Sequence, residues 1–174
     1  MIQTQKGEEM SDQILPFSPL YEGYLCDESL RSGQAESISF PESEEEVQSV
    51  LKALPADMRL TVQGSRTGLK GLAVPQGGHI MNMSRMNRIR EIQIVSETEG
   101  IAEAEPGVLL EQLERELPGA LREGDFFWPP SPTEGTASIG GIAATGAAGM
   151  NVCHYGDTCR YRSLCALSGG TVRR

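Results

Sequence analysis

The sequence predicts one domain, or one and a fraction, of the α+β or α/β class, because short strands alternate along it with short helices. Three observations carry this prediction. Several stretches alternate apolar and polar residues with the period of two that is typical of strands. One stretch repeats apolar residues at helical spacing behind a capping signal. Glycine and proline are frequent, with 20 and 10 among 174 residues, and they divide the chain into short elements.

The first half of the chain begins with a polar stretch and continues into regular structure. Residues 1–35 are assigned to an N-terminal arm with short helices, because Pro16 and Pro19 break any long helix. Strands are predicted over 36–40 and 59–63. The helix predicted between them, over 43–54, has Ser43 and Glu46 as a capping box and an apolar stripe made of Val47, Val50, Leu51 and Leu54.

The second half adds further strands, a short helix and a segment with few side chains. Strands are predicted over 79–83, 92–95 and 100–105, and those at 36–40, 59–63, 79–83 and 100–105 are expected to pack with helix 43–54 in one lobe. A short helix follows Pro106 and Gly107. Residues 135–149 hold five glycines and five alanines. They either bury backbone against a flat ligand or form a tight helix-packing surface.

Charge and composition exclude several classes of protein. The net charge of −9 resides in residues 1–50, whereas residues 58–90 carry six cations and no acid. Such a local surplus indicates a bound anion rather than a nucleic acid, or else a solvated face whose cations pair with distant acids. The chain has no apolar run of the roughly 18 residues that a membrane span needs and no secretory signal. Its four cysteines lack the spacing of a zinc site, so no metal is expected.

The most informative stretch is GSRTGLKG, at residues 64–71, directly after a predicted strand. Successive backbone N–H groups without bulky neighbours bind phosphate oxygens. The stretch is neither a P-loop nor a Rossmann fingerprint, and a plain turn is the alternative. Together with the second glycine-rich segment, about 70 residues further on, it suggests two walls of one site for a long phosphate-bearing ligand.

Six motifs in order carry a family resemblance: PESEEEV, VQGSRTGLKGLAVPQGG, MNMSRMNRI, AEPGV, WPPSPTEGTASIGGIAATGAAG and YGDTCRY. This order resembles the N-terminal part of the PCMH-type FAD-binding domain of the vanillyl-alcohol oxidase flavoprotein superfamily, in its glycolate oxidase and D-lactate dehydrogenase branch. The resemblance implies an α+β fold with small mixed sheets flanked by short helices. It implies an FAD-binding domain over residues 36–174 that stops before the family's further lobe and its substrate-binding cap.

The resemblance also implies which residues contact FAD. In the family the first loop cradles the pyrophosphate, which carries over to Gly64, Ser65, Arg66, Thr67 and Gly68. The later segment lines the flavin and the rest of the dinucleotide, which carries over to Pro130, Ser131, Thr133, Ser138, Gly140, Gly141, Ala144, Thr145, Tyr155 and Gly156. Members with a covalent flavin have a histidine in the first loop where this chain has Thr67, so FAD is expected to be non-covalent.

The expected function is the FAD-binding part of a flavin-dependent oxidoreductase that moves a hydride from a 2-hydroxy acid to FAD. No residue is a convincing general base, so none is named as catalytic. The chain by itself is expected to be inactive and cytoplasmic, and to self-associate or bind a partner subunit that carries the missing part. Two alternatives stay open: a non-catalytic, truncated nucleotide-binding remnant or subunit, and a phosphate-binding module without flavin.

Overall fold

Four strands form the main sheet of the computed structural model, which describes residues 13–117, 126–130 and 133–161 and the backbone of 166–168 and 171–173. The strands are β1 (Leu15–Pro16), β2 (Ser37–Ser39), β3 (Leu60–Gln63) and β4 (His79–Asn82), in the order β1-β2-β4-β3. β2 and β3 both lie parallel to the central β4, and β1 is antiparallel to β2. The predicted strands at 36–40, 59–63 and 79–83 are therefore confirmed as neighbours in one mixed sheet.

The helix predicted over 43–54 is present as α1 (Glu44–Ala53). Ser43 is its N-cap, with Oγ accepting a hydrogen bond from the N–H of Glu46 at 3.2 Å. In a standard capping box the Glu side chain accepts a hydrogen bond from the backbone N–H of the N-cap residue. Here the Glu46 carboxylate accepts instead from the N–H of Glu42, the residue before the N-cap, at 2.8 Å. The buried face of α1 packs in a core of Ile14, Val47, Val50, Met81 and Met86.

A buried histidine links the two central strands of the main sheet. His79 is fully buried at the start of β4, opposite Ser37 of β2. Its ring nitrogens lie 2.8 Å from the hydroxyl oxygens of Ser37 and Ser39, on the Nδ1 and Nε2 sides respectively. Burial lowers the pKa of His79 to about 4, so the ring is neutral at physiological pH and both nitrogens take part in hydrogen bonds within the sheet.

The strand predicted at 100–105 lies outside the main sheet. β5 (Ile89–Ile94) and β6 (Gly100–Ala104) form a separate two-stranded antiparallel sheet, closed by the hydrogen bond from Val95 N–H to the Glu99 carbonyl at 2.8 Å. The strand expected at 100–105 is therefore present, but it pairs in a sheet of its own and not with the strands at 36–40, 59–63 and 79–83. Apolar alternation predicts a strand but does not say which strand it pairs with, and here the short turn selects the local partner. β7 (Ala166–Ser168) and β8 (Thr171–Arg173) pair antiparallel in a further two-stranded sheet.

Short helices complete the fold. α2 (Leu110–Glu116) packs with α3 (Ile139–Thr145) through Leu110, Ala137 and Ile142, and the half-buried Trp128 lies against this cluster. α4 (Val152–Tyr155) and the 3₁₀ turns Pro19–Leu25, Met83–Arg85 and Thr158–Arg160 lie between the larger elements. None of the helices in the described residues is long and apolar enough to cross a membrane. Small mixed sheets with short helices confirm the predicted α+β class.

Candidate functional site

The loop at residues 64–71, called the glycine loop below, lies at the carboxyl end of the parallel strands. It follows Gln63, the last and fully buried residue of β3, whose amide Nε2 donates to the carbonyls of Tyr24 at 2.8 Å and Ala73 at 2.6 Å. Asn82, at the end of β4, donates from Nδ2 to the Gly64 carbonyl at 3.2 Å. Ligands of open sheets with parallel strands bind at this end, so the fold presents the loop where a ligand is expected.

The middle of the glycine loop offers backbone donors. The N–H groups of Arg66, Thr67 and Gly68 donate to no acceptor within the residues that the structure describes. Gly68 is exposed, and a Cβ placed on it would have no atom within 4 Å. Arg66 has a φ of 62°, in the left-handed region that non-glycine residues seldom adopt. Successive N–H groups form an anion-binding concavity where right-handed and left-handed residues alternate, and Arg66 supplies a left-handed residue in this loop.

The six cations of residues 58–90 divide into three groups. Three pair with carboxylates: Arg85 with Glu42 at 3.0 Å, and Arg88 and Arg90 with Glu105 at 2.9 and 3.3 Å. Arg59 donates to the Gln76 carbonyl at 2.9 Å. Arg66 and Lys70, both in the glycine loop, make no ion pair with a carboxylate among the described residues. Two of the three cations that have no ion pair with a described carboxylate therefore lie in the loop.

The second glycine-rich stretch, residues 135–149, is called the glycine–alanine segment and uses its backbone differently. The N–H of Gly140 donates to the Pro106 carbonyl at 2.8 Å. A Cβ on Gly140 would lie 2.6 Å from the Pro106 Cβ, so glycine lets α3 approach this turn closely. The N–H of Gly141 donates to the Oγ of Ser138, the N-cap of α3, at 3.3 Å. These two amides are satisfied inside the protein.

Ser138 joins the two stretches. Its Oγ accepts a hydrogen bond from the N–H of Ser65 at 3.4 Å in addition to that from Gly141. A Cβ on Gly64 would overlap this oxygen. Gly64 is thus needed for contact between the start of the glycine loop and the start of α3. The structure brings together Gly64, Ser65, Ser138 and Gly141 of the predicted site.

Among the remaining predicted site residues, Pro130 contacts the end of the glycine–alanine segment. Pro130 is buried, and its carbonyl accepts from the N–H of Gly149 at 2.9 Å. The Tyr155 ring packs edge-on against Phe127, with centroids 5.5 Å apart. Other placements are simpler: Thr133, Ala144 and Thr145 are exposed, the Thr145 hydroxyl donates to the Gly141 carbonyl at 2.8 Å, Gly156 has a φ of 86°, and Ser131 lies outside the described residues.

Glu105 supports the glycine–alanine segment and was not among the predicted site residues. It is 3% exposed, and its carboxylate accepts from the backbone N–H of Arg88 at 2.9 Å and from the guanidinium groups of Arg88 and Arg90. Burial raises the pKa of Glu105, but the hydrogen bonds from Arg88 outweigh it and leave the pKa below its usual value. Its neighbour Pro106 is the residue on which Gly140 rests. The sequence signal that could have indicated this role is the pair Arg88 and Arg90, two residues apart in the chain ahead of the motif AEPGV, which contains Glu105.

Comparison with known proteins identifies the family. The FAD binding domain family matches residues 35–168. A D-lactate dehydrogenase of Anaerostipes hadrus is 33% identical over 162 residues, which are 90% of this chain and 33% of that protein. A D-2-hydroxyglutarate dehydrogenase of Xanthomonas citri pv. viticola is 34% identical over 125 residues, which are 70% of this chain and 25% of that protein. The chain thus spans about a third or less of the length of these curated relatives.

Solved structures share the fold. An alkyldihydroxyacetonephosphate synthase aligns with a TM-score of 0.68 at 21% identity, over 87% of this chain and 32% of that one. A chitooligosaccharide oxidase aligns with a TM-score of 0.67 at 17% identity, over 90% of this chain and 33% of that one. The resemblance seen in the sequence is confirmed: the chain belongs to the FAD binding domain family.

Proposed function

We propose that the chain binds FAD non-covalently through the glycine loop, as part of an oxidoreductase that oxidises a 2-hydroxy acid. The observation that carries the proposal is the run of backbone amides that begins with Arg66, Thr67 and Gly68 and continues to Leu72, none of which finds an acceptor in the described protein. They lie in a loop without bulky side chains, beside two cations that no described carboxylate neutralises. A diphosphate supplies both the acceptor oxygens and the negative charge that this arrangement lacks.

The residues present fit FAD. The dinucleotide's diphosphate matches the donors of the glycine loop, and the open space at Gly68 allows it a close approach. A covalent link would need a nucleophilic side chain in that loop, where Thr67 stands at the position of the family's histidine. The chain's two histidines lie elsewhere: His79 is buried with both ring nitrogens against serine hydroxyls, and His154 is in α4. These placements support non-covalent binding.

The substrate class rests on the relatives. The D-lactate and D-2-hydroxyglutarate dehydrogenases act on the 2-hydroxy acids in their names. When bound, FAD would accept the two electrons and the hydrogen that the alcohol carbon loses as a hydride. The part of this chain is to hold the diphosphate and to fix the dinucleotide against the sheet. A cytoplasmic location, and assembly with itself or with a partner subunit, stay predictions of the sequence.

The test is a titration of the 174-residue chain with FAD, followed by ¹H–¹⁵N correlation spectra, which detect binding down to millimolar affinity. We expect the largest amide shifts at Arg66, Thr67 and Gly68. Gly68→Val places a branched side chain in the space that the diphosphate would enter, so FAD should bind more than about tenfold more weakly, a loss above about 1.4 kcal/mol. Free space around Gly68 predicts that this variant folds normally.

Gly23→Val is the matched control, because Gly23 also has free space for a Cβ and lies in the 3₁₀ turn Pro19–Leu25 rather than in the loop. It should bind FAD like the wild type. Unchanged FAD binding by Gly68→Val, or shifts confined to residues far from the glycine loop, would contradict the proposed binding mode.

A further inference from the structure

The N-terminal arm contacts the glycine loop at both of its ends, although the family match begins only at residue 35. At the near end, the carbonyl of Tyr24 accepts from Gln63 Nε2 at 2.8 Å. In the middle, the N–H of Glu28 donates to the Arg66 carbonyl at 3.2 Å. Beyond the loop, the Ala73 N–H donates to the Asp27 carboxylate at 3.4 Å. A short stretch of the arm thus bonds to residues before, within and after the loop.

Both carboxylate oxygens of Asp27 hold this stretch of the arm in place. Asp27 is 7% exposed, and its Oδ1 accepts from the N–H of Ser29 at 3.0 Å while Oδ2 accepts from Ala73. Burial alone would raise the pKa of Asp27, but the hydrogen bonds from Ser29 and Ala73 lower it further than burial raises it. The carboxylate is therefore charged in the folded protein, and it fixes the arm to the end of the loop.

The arm also contacts the side chain of Arg66. Its guanidinium carbon lies 4.4 Å from the centroid of the Tyr24 ring, within the range of a cation–π contact. The backbone of Arg66 has a φ of 62°, a conformation that is unfavourable for a non-glycine residue. The cation–π contact is favourable, and it exists only while the side chain of Arg66 lies over the Tyr24 ring. The ring and the left-handed backbone therefore stabilise each other.

We propose that Tyr24 is a positioning residue for the dinucleotide diphosphate. Its ring fixes Arg66, the left-handed backbone of Arg66 orients the amides of Thr67 and Gly68, and those amides bind the phosphate oxygens. This inference rests on the proposed function, and it assigns to the arm a part of the cofactor site that the residues matched by the family do not contain. Tyr24 itself does not touch the ligand.

The experiment compares FAD with riboflavin, which lacks the diphosphate, on the wild-type chain and on the Tyr24→Leu and Tyr24→Phe variants, by titration monitored in ¹H–¹⁵N correlation spectra. Tyr24→Leu should bind FAD about fivefold more weakly, as expected for the loss of one cation–π contact. Tyr24→Phe keeps the ring and should bind FAD within about twofold of the wild type. Riboflavin binding should be the same in all three, whereas a merely structural defect would weaken both ligands equally.

A second pair of variants changes Arg66 and leaves unchanged the packing of Tyr24 against the rings of Tyr21 and Phe40. Glycine adopts the left-handed conformation without strain and alanine does not. FAD affinity should therefore decrease in the order wild type, Arg66→Gly, Arg66→Ala. An Arg66→Ala variant that binds FAD as well as Arg66→Gly would overturn the inference, as would equal FAD affinity of Tyr24→Leu and the wild type.

The two proposals fail in different ways. If the wild-type chain shows no amide shifts with millimolar FAD, the proposed function fails and the role of Tyr24 fails with it. If the wild type binds FAD through the glycine loop and the Tyr24 and Arg66 variants do not follow the stated order, only the role of Tyr24 is refuted.

Discussion

The glycine loop and the glycine–alanine segment have similar compositions and opposite uses for glycine. In the loop, the amides from Arg66 onward have no acceptor among the described residues, and Gly68 faces open space. In the segment, the amides of Gly140 and Gly141 are bonded within the protein, and Gly140 lies directly against Pro106. Gly68 in the loop borders open space, whereas Gly140 in the segment makes room for the protein itself.

This difference teaches that a glycine-rich motif indicates a close approach without saying what approaches. The sequence supported both a ligand wall and a packing surface for residues 135–149, and the structure shows packing at Gly140. The two uses meet at Ser138. A Cβ on Gly64, the first glycine of the loop, would overlap the Oγ of Ser138, so this glycine also serves packing. The role of each glycine therefore depends on what it contacts and not on which of the two stretches it belongs to.

The largest expected effect comes from placing the same side chain in both regions. Gly140→Val should lower the free energy of unfolding by about 3–4 kcal/mol, because its Cβ would collide with the Pro106 backbone and side chain. Gly68→Val should change it by less than about 0.5 kcal/mol, since its surroundings are open. Urea denaturation of both variants measures the contrast. Equal destabilisation by the two valines would remove the distinction between the regions.

The histidine in the sheet beneath the loop predicts a pH dependence. The pKa of His79 is about 4 in the folded protein, against 6.5 for an ordinary histidine. The unfolded chain therefore binds a proton at pH values where the folded chain does not. This difference lowers the free energy of unfolding as pH falls from 6.5 toward 4. Its full size is about 3 kcal/mol.

Urea denaturation between pH 7 and pH 4.5 measures this loss. His79→Gln should make the profile flatter, whatever its own stability. A wild-type profile as flat as that of His79→Gln would show that His79 is not held neutral by the sheet.

Glu105 gives the corresponding acid response on the side of the glycine–alanine segment. Glu105→Gln should cost about 2 kcal/mol at pH 7, because a buried carboxylate with charged donors is replaced by a neutral amide. Because the folded pKa of Glu105 is lowered, its contribution is complete above about pH 5 and is lost as pH falls through the folded value. The wild type should thus approach the stability of Glu105→Gln in acid.

The control for this response is Glu42→Gln, which breaks the exposed pair between Glu42 and Arg85. Exposed pairs contribute little, so its stability should stay within about 0.5 kcal/mol of the wild type. Measuring both variants at pH 7 and pH 3.5 separates the two cases. A Glu105→Gln variant as stable as Glu42→Gln would mean that the turn at Pro106, against which Gly140 packs, does not depend on the buried carboxylate.

The elements that the sequence predicted are those whose signals are local. Ser43 and Glu46 with the apolar stripe of α1 define a helix within about a dozen residues, and alternation locates β2, β3 and β4. The separate pairing of β5 with β6, the contact of Ser138 with Gly64 and the bonds of His79 join residues through their positions in space. Periodicity and capping carry no information about such pairs.

The same limit applies to the candidate site. The glycine loop was predictable because its glycines follow a strand directly. The contribution of the arm was not, because the contact between Tyr24 and Arg66 depends on the left-handed backbone of Arg66, and arginine gives no sequence signal for that conformation. Glu105 was missed for a related reason: only the folded hairpin places Arg88 and Arg90 around one carboxylate.

The smallest expected effect is at Ser138, where the two regions meet. Ser138→Ala removes the N-cap of α3 and the acceptor for Ser65, and should cost about 1 kcal/mol. Ser43→Ala removes the equivalent N-cap of α1 and should cost the same, since each serine Oγ accepts from the third residue of its helix. The two variants differ in what else they touch, because only Ser138 holds the start of the glycine loop. FAD titration should therefore show weaker binding, by about twofold to fivefold, for Ser138→Ala and no change for Ser43→Ala. If both variants bind FAD equally, the contact between Ser138 and Ser65 contributes to folding alone, and contacts with the arm are sufficient to keep the loop in its conformation.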